Sequence, residues 1–243
     1  MPSVRVLIFH GYLLRGTGSN VYNASLAGAL VNLGHEVHLL CQDRHAGDLP
    51  FVDATGDWEG GELHVSATGD EIRCTAYRPD IGRVLPVYVA DEYEGFDAVT
   101  YAELPDDALE HYLAANVAAV RDVVERARPE VALANHLVMG PAILARALGG
   151  EVPYAVKVHG SALEYTVRPQ PERFLPYARE GLEAAGGVLV GSLHTAESLW
   201  EVVAEPWLPE RTRLGPPGVD TATFHPRPAR EAAERLTALA DRL

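Results

Sequence analysis

The chain has 243 residues, 47% of them apolar and 22% charged, which fits one large packed domain and neither a disordered nor a collagen-like chain. Twenty basic against 34 acidic side chains give a formal charge of −14, and Lys157 is the only lysine; this argues against nucleic acid or an anionic membrane as partner, so any phosphate must be held locally. No run approaches the ~20 apolar residues needed to cross a bilayer, the start from Met1 to His10 lacks a signal peptide's length, and Cys41 and Cys74 form neither a metal spacing nor a disulfide framework, so a cytoplasmic chain without a transmembrane segment and with two reduced thiols is expected.

Val4 to His10 (VRVLIFH) is a continuous apolar run of the kind buried on both faces of a parallel sheet. A glycine-bearing loop follows. Asn20 to Leu33 then places Val21, Leu26, Leu30 and Leu33 near helical spacing, with Gly34 as a C-cap, and Glu36 to Cys41 reads as strand two. This βαβ unit puts its loop at the carboxyl edge of the sheet, where ligands of such folds bind. Between Asp43 and Thr100, short β-like runs (Leu63–Ala67, Ile72–Ala76, Val84–Val89) sit among many Gly, Asp and Pro residues and suggest an antiparallel or irregular insertion.

Regularity returns at Pro105 with a long helix to about Ala127. The strand Val131–Ala134, a helix from Pro141 to Leu148 and the strand Tyr154–His159 come next, then a helix near Pro176–Ala185, the strand Gly187–Gly191 and a helix from Thr195 to Val203. Alternation of this kind predicts an α/β fold, a Rossmann-like doubly wound, mostly parallel sheet with a β-rich insertion. Residues 1–225 are read as this domain. Residues 226–243, with Leu236, Leu239 and Leu243 on one face, are read as a linker helix.

Gly16-Thr17-Gly18-Ser19-Asn20 lies between a buried strand and a helix, where free amides and the positive helix end can hold a phosphate without lysine. A tight turn that binds nothing is the alternative. A dinucleotide-binding reading would use Asp43 as the ribose ligand. Against it, Val21 stands where the third glycine belongs, and Gly11 to Arg15 separate the strand from Gly16.

His159-Gly160-Ser161 ends an apolar strand, with Gly160 allowing a sharp exit that turns the imidazole and hydroxyl toward the ligand crevice; a histidine tethered to a carbonyl is the plain alternative. Lys157, on the same face, should pair with a carboxylate. Asn135-His136 close another strand and either read sugar hydroxyls or, for Asn135, cap a helix. Ser192 or Thr195 should cap the next helix, with His194, Glu197 and Ser198 nearby. Esterase elbow, zinc-protease and P-loop motifs are absent.

In order along the chain, VRVLIFH, GTGSN, LAGALVNLGHEVHLLC, ALANHLVMG, YAVKVHGSALEY, GGVLVGSLHTAESL and PPGVDTATFHP resemble the N-terminal, subfamily 4-like domain of the retaining glycosyltransferases of GT-B fold, a family that includes sucrose synthase and bacterial phosphatidylinositol mannosyltransferases. The resemblance spans nearly the whole chain and implies one half of a GT-B molecule. It implies that Gly16, Gly18 and Ser19 face the diphosphate of a UDP- or GDP-linked donor, and that His159 is the catalytic contact to the donor sugar with Gly160 and Ser161 beside it. Asn135 and His136 would face an acceptor sugar, lipid or small metabolite. No metal or other cofactor is implied. The family's donor-binding C-terminal domain has no counterpart in these residues, so weak donor affinity and inactivity without a separate C-terminal domain are expected. A non-catalytic sugar- or partner-binding module and an NAD-type oxidoreductase domain remain as competing readings.

Overall fold

A computed structural model describes residues 2–93 and 95–242, so Leu243, expected on the face of the last helix, lies outside the described residues. The first strand β1 (Arg5–Phe9) leads through the glycine loop into α1 (Gly18–Asn32) and then β2 (Glu36–Leu40). The insertion supplies β3 (Ala54–Glu59), β4 (Glu62–Ala67), β5 (Cys74–Arg78), β6 (Val84–Val87) and β7 (Asp97–Thr100). After α2 (Asp106–Ala127) come β8 (Val131–Asn135), α3 (Gly140–Leu148), β9 (Tyr154–Val158), the short turn α4 (Gly160–Ala162) and α5 (Pro171–Glu183). The chain then adds β10 (Gly187–Val190), α6 (Leu193–Val203), α7 (Leu208–Arg211), β11 (Thr212–Leu214) and α8 (Ala229–Ala240).

Nine strands form one sheet in the order β11-β10-β9-β8-β1-β2-β5-β3-β4, and every pairing in it is parallel except β3 with β4. The run in β1 is unbroken because both its faces are covered. Leu7 and Phe9 enter the core built with α2, α3, α5 and α6, while Ile8 enters a second core against α1. The doubly wound expectation therefore holds.

The insertion differs from expectation. Only β4 runs antiparallel; β3 and β5 extend the main sheet in parallel, and β6 pairs with β7 in parallel as a separate ribbon. Turn-rich sequence suggested antiparallel or irregular structure, which holds for β3 with β4, but the longer returns elsewhere allow parallel pairing. The Asp53 carboxylate fixes one of these returns by accepting from the backbone N–H of Arg73 and Cys74 and pairing with the Arg73 guanidinium.

Helix α1 also turns a different face inward. Its buried residues are Asn20, Asn23, Ala27, Gly28 and Val31, whereas Val21 and Leu33 are exposed. Small residues let the helix lie close to its neighbours: a Cβ on Gly28 would stand 3.0 Å from the Phe51 ring. Gly34 follows the helix with φ +87°, as a C-terminal cap requires. Helix α5 begins at Pro171, whose fixed φ suits a first helical position, and Pro176 lies inside it instead of starting it. Ser192 caps α6 by accepting from the Thr195 amide. Cys41 and Cys74 are free and buried. Helix α8 buries no residue, and no helix among the described residues is long and apolar enough to cross a membrane.

Candidate functional site

From β1 the chain winds outward to β2 on one side and later returns to place β8 on the other. Crevices in open parallel sheets form at such a reversal, outside the carboxyl ends of the strands. Here β1, β8 and β9 end in His10, Asn135-His136 and His159, and a cleft of roughly 350 Å³ opens above them, lined by His136, His159, Gly160 and Ser161 together with the start of α1.

His10 fixes that start. Its Nδ1 lies 3.0 Å from the Asn23 Nδ2 donor, so Nε2 carries the proton and faces Asn20 Oδ1 and Leu13 O, each at 3.0 Å. Asn20 and Asn23 in turn donate to Arg15 O and Ser19 O. Burial pushes the His10 pKa down to about 4, against smaller opposing contributions from its Asn20 and Leu13 hydrogen bonds. A neutral imidazole thus pins the glycine loop to β1. The first α1 bond runs from Val21 N to Thr17 O, which leaves the amides of Gly18, Ser19 and Asn20 without intrahelical partners at the cleft edge. Thr17, the N-cap, makes no side-chain cap.

Asn135 Nδ2 donates to Phe9 O at 3.3 Å and its Oδ1 accepts from His159 Nε2 at 3.1 Å. His159 is therefore held as a neutral ring with the Nδ1 lone pair left over, and burial first, then His10 and Lys157, lower its pKa to about 4. Asn135 is buried and absent from the cleft wall, its side chain orients His159, and Met139 instead of Asn135 is the N-cap of α3.

His136 follows in the left-handed region at φ +67°, its amide bonded to Lys157 O, and its ring is packed among Tyr88, His159, Tyr12 and His10 with centroids 4.6 to 5.9 Å away. Both ring nitrogens are buried without a hydrogen-bond partner. Burial, then His159 and His10, holds its pKa well below the ordinary histidine value. Two buried ring nitrogens without a partner among the described residues, on a residue of the cleft wall, are an exception for which a ligand's polar group is one explanation. The backbone strain at the same residue is of the kind functional sites retain.

Gly16 takes φ +90° in the approach turn and does not line the cleft; Gly18 and Ser19 do. Gly160 needs no positive φ, and a Cβ there would meet nothing within 4 Å, so it leaves open space in the cleft instead of enabling the sharp exit. Lys157 finds no carboxylate among the described residues: its ammonium donates to Gly215 O and lies 5.4 Å over the Tyr22 ring, and burial lowers its pKa. Asp43 turns both oxygens onto the backbone, accepting from Leu14 N and His45 N, so it braces the first loop. Tyr12 and Tyr88 also line the cleft, Tyr12 donating to Pro86 O and Tyr88 to Val138 O, and both phenol pKa values are raised far up by burial. These two and His10 escaped sequence reasoning; the only signal was polar or aromatic character immediately after a strand or in the insertion.

A Rossmann-like, mostly parallel sheet with a crevice at its reversal, flanked by a glycine loop and strand-end histidines, is the architecture of one half of a GT-B fold. The glycosyl transferase 4-like domain family matches residues 17–218, and the chain belongs to that family. Among solved structures, sucrose-phosphate synthase from Thermosynechococcus elongatus superposes with a TM-score of 0.57 at 17% identity, covering 96% of this chain and 52% of that one. A glycosyltransferase from Rickettsia africae gives 0.53 at 13%, with 98% and 50% covered. A putative UDP-N-acetylglucosamine 2-epimerase from Listeria monocytogenes gives 0.51 at 14%, with 87% and 45% covered. The chain thus spans about half the length of these structures, and at such identities the likeness is one of fold. No curated protein matches the chain significantly by sequence.

Proposed function

We propose that this domain is the acceptor-side half of a glycosyltransferase that moves a sugar from a UDP- or GDP-linked donor to an acceptor hydroxyl with retention of configuration. The observation that carries this reading is His136, whose two buried nitrogens lack partners beside an Asn135-oriented His159. His159 Nδ1 accepts from a donor-sugar hydroxyl, His136 binds the acceptor hydroxyl, and the Gly18, Ser19 and Asn20 amides face the diphosphate with the positive end of α1 behind them.

The acceptor oxygen bonds to the anomeric carbon on the face from which the diphosphate departs, and the acceptor proton passes to the leaving phosphate oxygen. A histidine whose pKa lies near 4 is a weak base at neutral pH, which supports an orienting role for His159. The remaining positive charge for the diphosphate comes from a second, donor-binding domain, in the same protein or a separate chain. Val21, Leu193 and Leu214 are exposed apolar side chains at the carboxyl edge of the sheet, where such a domain would close. Residues 226–243, including α8, would serve as the connection, and the chain alone would not turn over.

Calorimetric titration with UDP, GDP and their sugars, with and without a donor-binding domain, tests this reading. Binding should appear in the assembled pair, and His159→Ala should erase the preference for the nucleotide sugar over the free nucleotide. An unchanged preference would reject the role of His159. Sugar binding that is indifferent to any nucleotide would instead favour a non-catalytic sugar-binding module.

A further inference from the structure

Two further depressions continue from the cleft along the insertion. Tyr93 is a wall of both the cleft and a neighbouring hollow that includes Asp91, Glu92 and Phe96. Phe96 in turn is shared with a pocket of roughly 430 Å³ that includes Trp58, Asp57, Arg78 and Arg44. Shared walls at Tyr93 and Phe96 thus place the three in series along the insertion, from His159 to Trp58.

Its chemistry is uniform. Half-buried aromatic rings recur along it, at Tyr88, Tyr93, Phe96 and Trp58. Trp58 is fixed from behind, where its Nε1 donates to Asp122 Oδ2 at 2.7 Å, and Phe96 is backed by the Arg44 guanidinium 5.7 Å from its centroid. Beside Trp58, Asp57 and Arg78 pair at 2.7 Å while each stays more than one-third exposed, so a planar acceptor and a planar donor face the pocket together. An apolar ring face flanked by such groups matches a pyranose, which offers C–H groups on one face and hydroxyls around its rim.

Charge narrows the occupant. The cleft at His159 is lined by no formally charged side chain, and the two outer hollows carry Arg44 and Arg78 against Asp57, Glu59, Asp80, Asp91 and Glu92 among the described residues. One of the two arginines is already neutralised by Asp57. A groove with this excess of carboxylates repels phosphorylated or sulphated ligands. We propose that it binds the acceptor as an extended, neutral oligosaccharide of at least three residues, with its growing end at His136 and its far end on Trp58. The position of that growing end rests on the transferase reading; the sugar pocket at Trp58 does not.

The test is an immobilised array of neutral, amino, sialylated, sulphated and phosphorylated glycans, with vesicles containing phosphatidylinositol as a lipid arm. Signal is expected on neutral glycans of three or more residues and on neither anionic glycans nor vesicles. Affinity for the best neutral glycan should fall about tenfold in Trp58→Ala and in Phe96→Ala, the change that ~1.4 kcal/mol of lost contact produces. Trp58→Phe keeps a ring without the Asp122 bond and should retain binding, which separates a lost platform from a misfolded insertion. Binding confined to anionic glycans or vesicles, absence of any glycan binding, or neutral binding untouched by both alanine variants would overturn the proposal. Donor-sugar discrimination through His159, measured on the same preparations with a donor-binding domain added, is independent of these outcomes: its persistence without glycan binding removes the groove alone, and its absence with glycan binding removes the transferase reading alone.

Discussion

His136 separates a ligand-binding role from a structural one. Its imidazole makes no side-chain hydrogen bond, so His136→Phe deletes two orphaned nitrogens and should leave unfolding free energy within about 1 kcal/mol of wild type. Acceptor binding should nevertheless collapse, and a large loss of stability in urea titration would instead show hidden structural bonds. His10 gives the opposite case. Its unfolded imidazole titrates near 6.5 and the folded one at about 4, so between those values the unfolded chain binds the extra proton. Stability contributed by neutral His10 is therefore complete above pH 6.5 and is lost as pH falls toward 4, by about 3 kcal/mol at full extent. Denaturant midpoints across this range should show that slope, to which the depressed His136 and His159 add, and His10→Asn should reduce it without abolishing it while lowering stability at neutral pH.

At the scale of elements, the order of the main strands and helices outside the insertion was legible as far as α6 because buried parallel strands leave continuous apolar runs, whereas the short α7 and the edge strand β11 leave none. The facing of α1 was not: its inward side carries Asn20, Asn23 and Gly28, residues that hydrophobic periodicity assigns to solvent. The two asparagines are buried against His10, and Gly28 against the Phe51 ring, partners that reach them from outside the helix. The bracing of His159 by Asn135 was illegible for the same reason, since its partners Phe9 O and His159 are 126 and 24 residues away. Helix α3 shows how closely the site is framed. A Cβ on Gly140 would lie 2.7 Å from the Asn135 carbonyl oxygen and 3.2 Å from the Phe9 ring. Gly140→Ala should destabilise by about 1–3 kcal/mol, as overpacking does, and should disturb His159 through Asn135. A melting temperature equal to wild type would contradict this.

Over the whole molecule, the two cores are carried by residues up to Leu208, while Val219, Phe224, Leu236 and Leu239 stay exposed. Ending the chain after His225 should thus leave the melting temperature and cooperativity of the domain unchanged, because α8 buries nothing. A drop of several degrees would reveal a docked tail. The parallel joining of β3 and β5 to the sheet was illegible because strand order is a long-range property, set by which edges are free when the insertion packs and not by local turn residues.

The solitary lysine has a practical consequence. Its side chain is 1% exposed, with the ammonium held on Gly215 O beside Tyr22, so the folded surface presents no lysine amine. Acylating labels, amine-coupled sensor chips and lysine-directed conjugation will find no side chain to react with until the domain opens. A lysine-specific protease has one cleavage point, at Lys157 in the middle of β9, and the appearance of its two fragments reports the rate at which the central sheet comes apart.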